Sequence, residues 1–349
     1  MKFLFYYQHI YILLKKSVIF ICMDMSKTTN GYNKMIHSDS KLLIGIGDSF
    51  CAGSGTEDYE LWEKNNWDVE KMRSEPAAFE QGRIGSFINQ LCEKHLTDYI
   101  PINLGMSGKG NRFAIRELFL NPGLNIEVAH EKILVFVVSD FSRFDVANEI
   151  CDVSCHATTL WPSYADKNRL GYAQLQDHFG ESIYTEKFVL SEFLLDMFML
   201  LNWCEITHTK LLLISGFTPE LNRDYFFKTL MKGNESVLRR NIVSKLINKI
   251  PWYNIIQPMG YGSMIEMLLH LENRDDLIPN YGFRNFNIEK TSEFGWISKC
   301  QHPTKKGHEL ICDIVYEHIL NYQNVIIPNY DLMDERYFLQ EDKKNRSLI

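Results

Sequence analysis

Four short stretches of this chain carry residue types that do chemistry together. Gly47-Asp48-Ser49-Phe50 sets a hydroxyl beside a glycine turn. Gly105-Met106-Ser107-Gly108-Lys109-Gly110-Asn111 is a glycine-rich loop, and Ser139-Asp140-Phe141-Ser142-Arg143-Phe144-Asp145 is a polar one. His302-Pro303 stands near the end of the chain, followed by Gly307-His308. A serine on a tight turn exposes its hydroxyl, and a following backbone N–H with that of a second glycine can point at a developing oxyanion. A histidine reaching the same edge acts as general base. Nucleophile early and histidine late is one of several chain orders that Ser–His sites use. Such a set could activate a serine as a nucleophile.

Each residue also has a plainer use. Ser49 could only occupy a turn, and His302-Pro303 could only start a helix. Asp48 caps or closes the turn. Asn111 caps a helix or faces the pocket. Arg143 holds its loop by an ion pair, binds an anionic substrate group or sits on the surface. His308 reads as packing or polar support inside the last helix.

These stretches must be held by a scaffold, and the apolar pattern supplies one. Strands are expected at 41–47, 99–104, 132–139, 210–215 and, more weakly, 252–257. Helices are expected at 83–97, 111–120, 186–207 and about 304–322. Apolar strands alternating with helices predict a parallel sheet covered on both faces. In such sheets the active crevice lies at the carboxyl ends of the strands, where the first three stretches fall. Long inserts remain at 48–80, 141–185, 217–250 and 258–301, of a length that is usually functional. The expected organisation is a lead-in over 1–40, one domain over 41–322 and a charged tail over 323–349.

Composition narrows the function classes. Lys+Arg is 37 against Asp+Glu 44, a net charge of −7, so no broad positive field exists for nucleic acid. The 8 cysteines are scattered and read as small core residues of a reducing, cytoplasmic setting. Cys151-x3-Cys155-His156 lacks the second pair that a zinc finger needs. The apolar run at 3–23 is split by Lys15-Lys16 and reaches no spanning length. It is either a membrane-surface anchor or sequence upstream of a start at Met23 or Met25. A genuine anchor or signal there would make the protein membrane-associated or exported.

Ile44-Gly45-Ile46-Gly47-Asp48-Ser49 resembles the first block of the SGNH (GDSL-like) hydrolases. Asn103-Leu104-Gly105-Met106-Ser107-Gly108 resembles their second block, and His302-Pro303-Thr304-x-x-Gly307-His308 their fifth. The resemblance covers about 41–322. It implies a three-layer α/β/α sandwich with a flavodoxin-like parallel sheet of about five strands. It implies ester hydrolysis with Ser49 as nucleophile and His302 as base. The N–H groups of Ser49 and Gly105 would serve the oxyanion hole. Asp48, Asn111, Asp140 and Arg143 would support the site, which needs no metal or organic cofactor.

Two positions depart from the family pattern. Ser139 stands where the third block has an oxyanion-binding Asn, and its hydroxyl would donate instead. Lys299 stands three residues before His302, where the family has an Asp. The expected partner is a small-molecule or glycan ester, with O-acetylated carbohydrate favoured. Tyr59, Trp62, Trp67, Trp161, Tyr164 and Tyr172 in the inserts suit sugar rings or acyl chains. The rival is a binding module that keeps the fold and has lost catalysis.

Overall fold

Apolar runs pair into a five-stranded sheet in which every pairing is parallel. The computed structural model describes residues 36–56, 64, 76–120, 126–141, 143–147, 157–160, 185–217, 221–232, 237–275, 295–298 and 302–322. β1 (Lys41–Gly47) lies between β2 (Tyr99–Asn103) and β3 (Glu131–Val138). β4 (Phe144–Ala147) and β5 (Ala157–Leu160) form a separate antiparallel pair. β6 (Thr209–Ser215) then flanks β3, and the two-residue β7 (Ile255–Ile256) closes that edge. Within the main sheet, the order is the one expected of a flavodoxin-like fold, and it reverses direction between β1 and β3.

Alternation along each strand separates the two faces. Leu42, Ile44 and Ile46 of β1 pack with Leu134, Phe136 and Val138 of β3 on one side. Leu43 of β1 and Ile133, Val135 and Val137 of β3 pack on the other. Nine α-helices are described: α1 (Ser49–Ala52), α2 (Pro76–Gly85), α3 (Phe87–Lys94), α4 (Asn111–Leu120), α5 (Glu186–Thr207), α6 (Arg223–Leu230), α7 (Val237–Lys249), α8 (Met264–Leu271) and α9 (Lys305–Leu320). Residues of α4, α5, α6 and α7 join the first face. Those of α1, α3, α8 and α9 join the second. The result is a three-layer α/β/α sandwich.

Several elements differ from expectation. The helix expected over 83–97 is two helices, because Ser86 is extended at φ −65°, ψ 152° and caps α3 through Asn89 N–H. The fifth strand shrinks to two residues, because Pro251 opens a 3-10 turn over Trp252–Asn254. The stretch 217–250 is not an open insert but holds α6 and α7, and 258–301 holds α8. Residues 1–35 and 323–349 lie outside the described residues, including the apolar 3–23 segment and most of the lead-in. Among the described residues, no helix is long and apolar enough to cross a membrane.

Candidate active site

Ser49 begins α1, a four-residue helix directly beyond the end of β1. Asp48 is its N-cap, and the Asp48 Oδ1 accepts the Phe50 N–H at 3.0 Å. This closes the turn around Ser49. Ser49 is the first residue of the helix, so its N–H has no partner within the helix and projects from the N-terminal end. His302 arrives from the far end of the chain, two residues before Thr304, the N-cap of α9. Its carbonyl accepts both the Ser298 N–H at 2.8 Å and the Ser298 hydroxyl at 3.0 Å. Its Nε2 lies 2.7 Å from the Ser49 Oγ. The pair is partly buried, and the Phe50 ring flanks His302 at 5.5 Å. Serine and histidine thus meet at the carboxyl edge of the sheet, beside the point where the strand order reverses.

The second loop is set against α1 by Asn103, which is fully buried. Its Nδ2 donates to the Cys51 carbonyl at 2.8 Å and to the Ser86 Oγ at 2.9 Å. Its Oδ1 accepts the Gly105 N–H at 2.9 Å. A Cβ at Gly105 would stand 2.5 Å from the Ala52 nitrogen, so only glycine lets this loop approach the helix so closely. Asn103 was not among the expected site residues. Its place in the Asn-x-Gly run was the available signal.

The third loop is set by Asn111 and Asp48. Asn111 begins α4, and its side chain reaches across to the third loop. Its Oδ1 accepts the Ser139 N–H at 2.7 Å, and its Nδ2 donates to the Ser139 carbonyl at 3.1 Å. The Ser139 hydroxyl donates to the Asp48 Oδ2 at 2.8 Å. Arg143 Nη1 donates to the same carboxylate oxygen at 3.1 Å. Asp140 closes the loop with its carbonyl, which accepts the Arg143 N–H at 3.1 Å. Burial pushes the Asp48 carboxyl above the usual carboxylate range, while Arg143 and the two other donors pull it down.

Two expected oxyanion donors are therefore engaged elsewhere. The Gly105 N–H is held by Asn103, and the Ser139 hydroxyl is held by Asp48. The physical reason is burial: the Asn103 amide oxygen needs a donor and takes the Gly105 N–H, and the Asp48 carboxylate takes the Ser139 hydroxyl. Replacing Asn111 with Ala would orphan both backbone groups of Ser139 in a buried place. We expect a loss of about 2–4 kcal/mol in unfolding free energy, measured by urea denaturation at neutral pH. A loss below about 0.5 kcal/mol would mean the two-point grip is not formed in solution.

His308 lies in α9 and is fully buried. Its Nδ1 accepts the Phe87 N–H at 3.3 Å, and its ring stacks on Phe87 at 6.1 Å. Burial, with His302 nearby, pushes its pKa down to about 3, so it is a neutral ring carrying its proton on Nε2. Arg112 of α4 pairs with Glu192 and Asp196 of α5 and, with Asn111, Arg143 and Phe141, lines a cavity of about 20 Å³ behind the third loop. That is room for one water, not a substrate.

For metal ligation, His95, Cys312 and Asp313 bring ligand-type atoms within 4.8 Å of one another. His95 is already paired with Asp313 at 2.9 Å and stacked on Tyr316, and burial pushes the Cys312 thiol up to about 12. The cluster reads as a hydrogen-bonded histidine–aspartate pair beside a core thiol. Cys51, Cys92, Cys204 and Cys312 are free and buried. Lys299, the Cys151–His156 cluster and the six insert aromatics named above lie outside the described residues.

Fold and site together define a class: an α/β/α sandwich with a hydrogen-bonded serine–histidine pair at its switch point. No protein-family model matches the sequence, and no curated protein matches it either. Among solved structures, the crystal structure of an acetyl xylan esterase, AlAXEase, aligns over 79% of this chain and 98% of its own, with 14% identity and a TM-score of 0.35. So distant a likeness transfers no activity.

Proposed function

We propose that this chain is a serine ester hydrolase of the SGNH type. The observation that carries the reading is the 2.7 Å approach of His302 Nε2 to Ser49 Oγ at the sheet's switch point. Ser49 attacks the ester carbonyl while His302 takes its proton. The Ser49 N–H, at the head of α1, faces the developing oxyanion. His302 then protonates the departing alcohol, leaving an acyl-serine. A water then attacks that intermediate while His302 takes its proton, and His302 returns the proton to the Ser49 Oγ as the acid departs. The main chain of His302 is held by Ser298, whose N–H and hydroxyl both donate to its carbonyl. Every step is proton and acyl transfer, so the residues present account for the reaction. The substrate we favour is an O-acetylated carbohydrate, on the strength of the aromatic residues carried by the inserts.

The rival is a non-catalytic binding module. The engagement of Gly105 N–H and Ser139 Oγ favours it, since it leaves a thinner oxyanion hole. A fluorophosphonate probe separates the two, because it reports an activated serine without a guess at substrate. Labelling of the native protein at Ser49, absent after heat denaturation, supports the hydrolase. A native, folded protein that stays unlabelled supports the binding module.

A further inference from the structure

We propose that Arg143 is a positioning residue, which acts on the nucleophile through Asp48 and locks four loops of the carboxyl edge into one frame. The role deepens the hydrolase reading and rests on it. Arg143 follows β3, and its side chain is only 5% exposed. It reaches the loop after β1 at Asp48 Oδ2 and the loop after β2 at the Lys109 carbonyl, 3.2 Å away. Its guanidinium lies 4.9 Å over the ring of Phe217, just beyond β6. Phe217 meets Phe50 edge-on at 4.3 Å, and Phe50 in turn flanks His302. One cation therefore touches Asp48, which holds the Ser49 turn, and Phe217, which packs on the ring beside His302.

The Asp48 carboxylate is the lever. It precedes Ser49 by one residue and holds the amide one residue after it. Any swing of the carboxylate moves the nucleophile turn. Three donors fix it, and Arg143 is the only charged one among them. The hairpin β4–β5 starts at the next residue, so the same side chain anchors the root of that insert to the nucleophile turn. Lysine cannot replace it, because one ammonium does not combine a carboxylate, a carbonyl and a ring face in this geometry. Near-complete burial and the ion pair exclude Arg143 as a surface residue. They also withhold it from an anionic substrate group, which was one of the uses open to it from sequence.

The test compares the native protein with Arg143→Lys, Arg143→Met and Asp48→Asn/Arg143→Met, using fluorophosphonate reaction rates at a range of probe concentrations. Arg143→Lys should slow the limiting rate by about 10–100-fold per folded molecule while leaving half-saturation unchanged, the mark of a misplaced nucleophile. Arg143→Met should slow it at least as much. Weaker probe affinity with an unchanged limiting rate would overturn the proposal, since Arg143 would then be contacting ligand. Native-like rates in both single variants would overturn it as well.

A second measurement needs no activity. The groups facing Asp48 are Arg143, the Ser139 hydroxyl and the Cys51 thiol, which burial holds above its titration range. Without Arg143, the lone buried carboxylate takes up a proton on folding. The stability of Arg143→Met should therefore gain on that of the native protein as pH falls, and Asp48→Asn/Arg143→Met should lose this trend. A native-to-variant difference that is flat with pH overturns the ion pair. An unlabelled native protein with the pH trend intact would instead sink the hydrolase reading alone.

Discussion

Ser49→Ala should lose turnover by roughly 10⁴–10⁶-fold, and His302→Ala should lose nearly as much. The alanine at 49 has no nucleophile. The alanine at 302 leaves a serine hydroxyl that is almost wholly protonated near neutral pH and has nothing 2.7 Å away to receive its proton. Because the two act as a unit, the double variant should be no slower than Ser49→Ala. Fluorophosphonate labelling and release of alcohol from acetylated sugars both read the effect. Neither substitution opens a core cavity, since Ser49 is small and His302 is only partly buried, so the unfolding midpoint should hold. Single variants that retain labelling would place the reactive serine elsewhere. Additive losses in the double variant would mean the pair does not act together.

Acid should destabilise the protein through His308. Its folded pKa is about 3 against an ordinary 6.5, so the unfolded chain binds the proton first. Stability from this group is complete above the ordinary value and declines as pH falls below it. At about 1.4 kcal/mol per pH unit, the loss is about 2 kcal/mol by pH 5 and about 4 kcal/mol by pH 3. The cause is local. The charged ring would sit in a fully buried place, and its Nδ1 would then carry a proton facing the Phe87 N–H. His308→Gln keeps an acceptor for that amide and removes the titration. Urea denaturation of both proteins between pH 7 and pH 4 tests the point. The variant should start less stable and then lose less on acidification. Parallel pH curves would show that His308 does not titrate on unfolding.

Much of the frame was legible from periodicity. Each strand of the main sheet except β7 was expected within a residue or so, because a fully buried strand is an unbroken apolar run. The start of α4 at Asn111 was expected as well. Ser49 and His302 were legible as candidates because both follow or precede elements whose ends the sequence marks. What the structure adds is partnership. Nothing local says that Asn103 takes the Gly105 N–H, or that Asp48 takes the Ser139 hydroxyl. Those choices follow from loops that meet only in three dimensions. The helices within 217–250 did carry signals, with Asn222 capping through Tyr225 N–H and Asp224 in the first turn. The break at Ser86 was harder, since apolar spacing runs across it and only the capping hydroxyl ends one helix and starts another.

The sheet order has a consequence for how the chain reaches this state. Lys41 of β1 lies beside Tyr99 on one side and Glu131 on the other, and Lys132 of β3 beside Thr209. Even the closest pairing in sequence joins Leu213 to Ile255. No strand of the main sheet has a neighbour supplied by a hairpin, so each ladder closes a long loop before any contact repays the lost entropy. During synthesis β1 emerges before the other strands of this sheet and waits for both of its neighbours, which leaves its unpaired edges open to other chains. Refolding should be slow and prone to aggregation at high protein concentration, with recovery of labelled Ser49 rising on dilution.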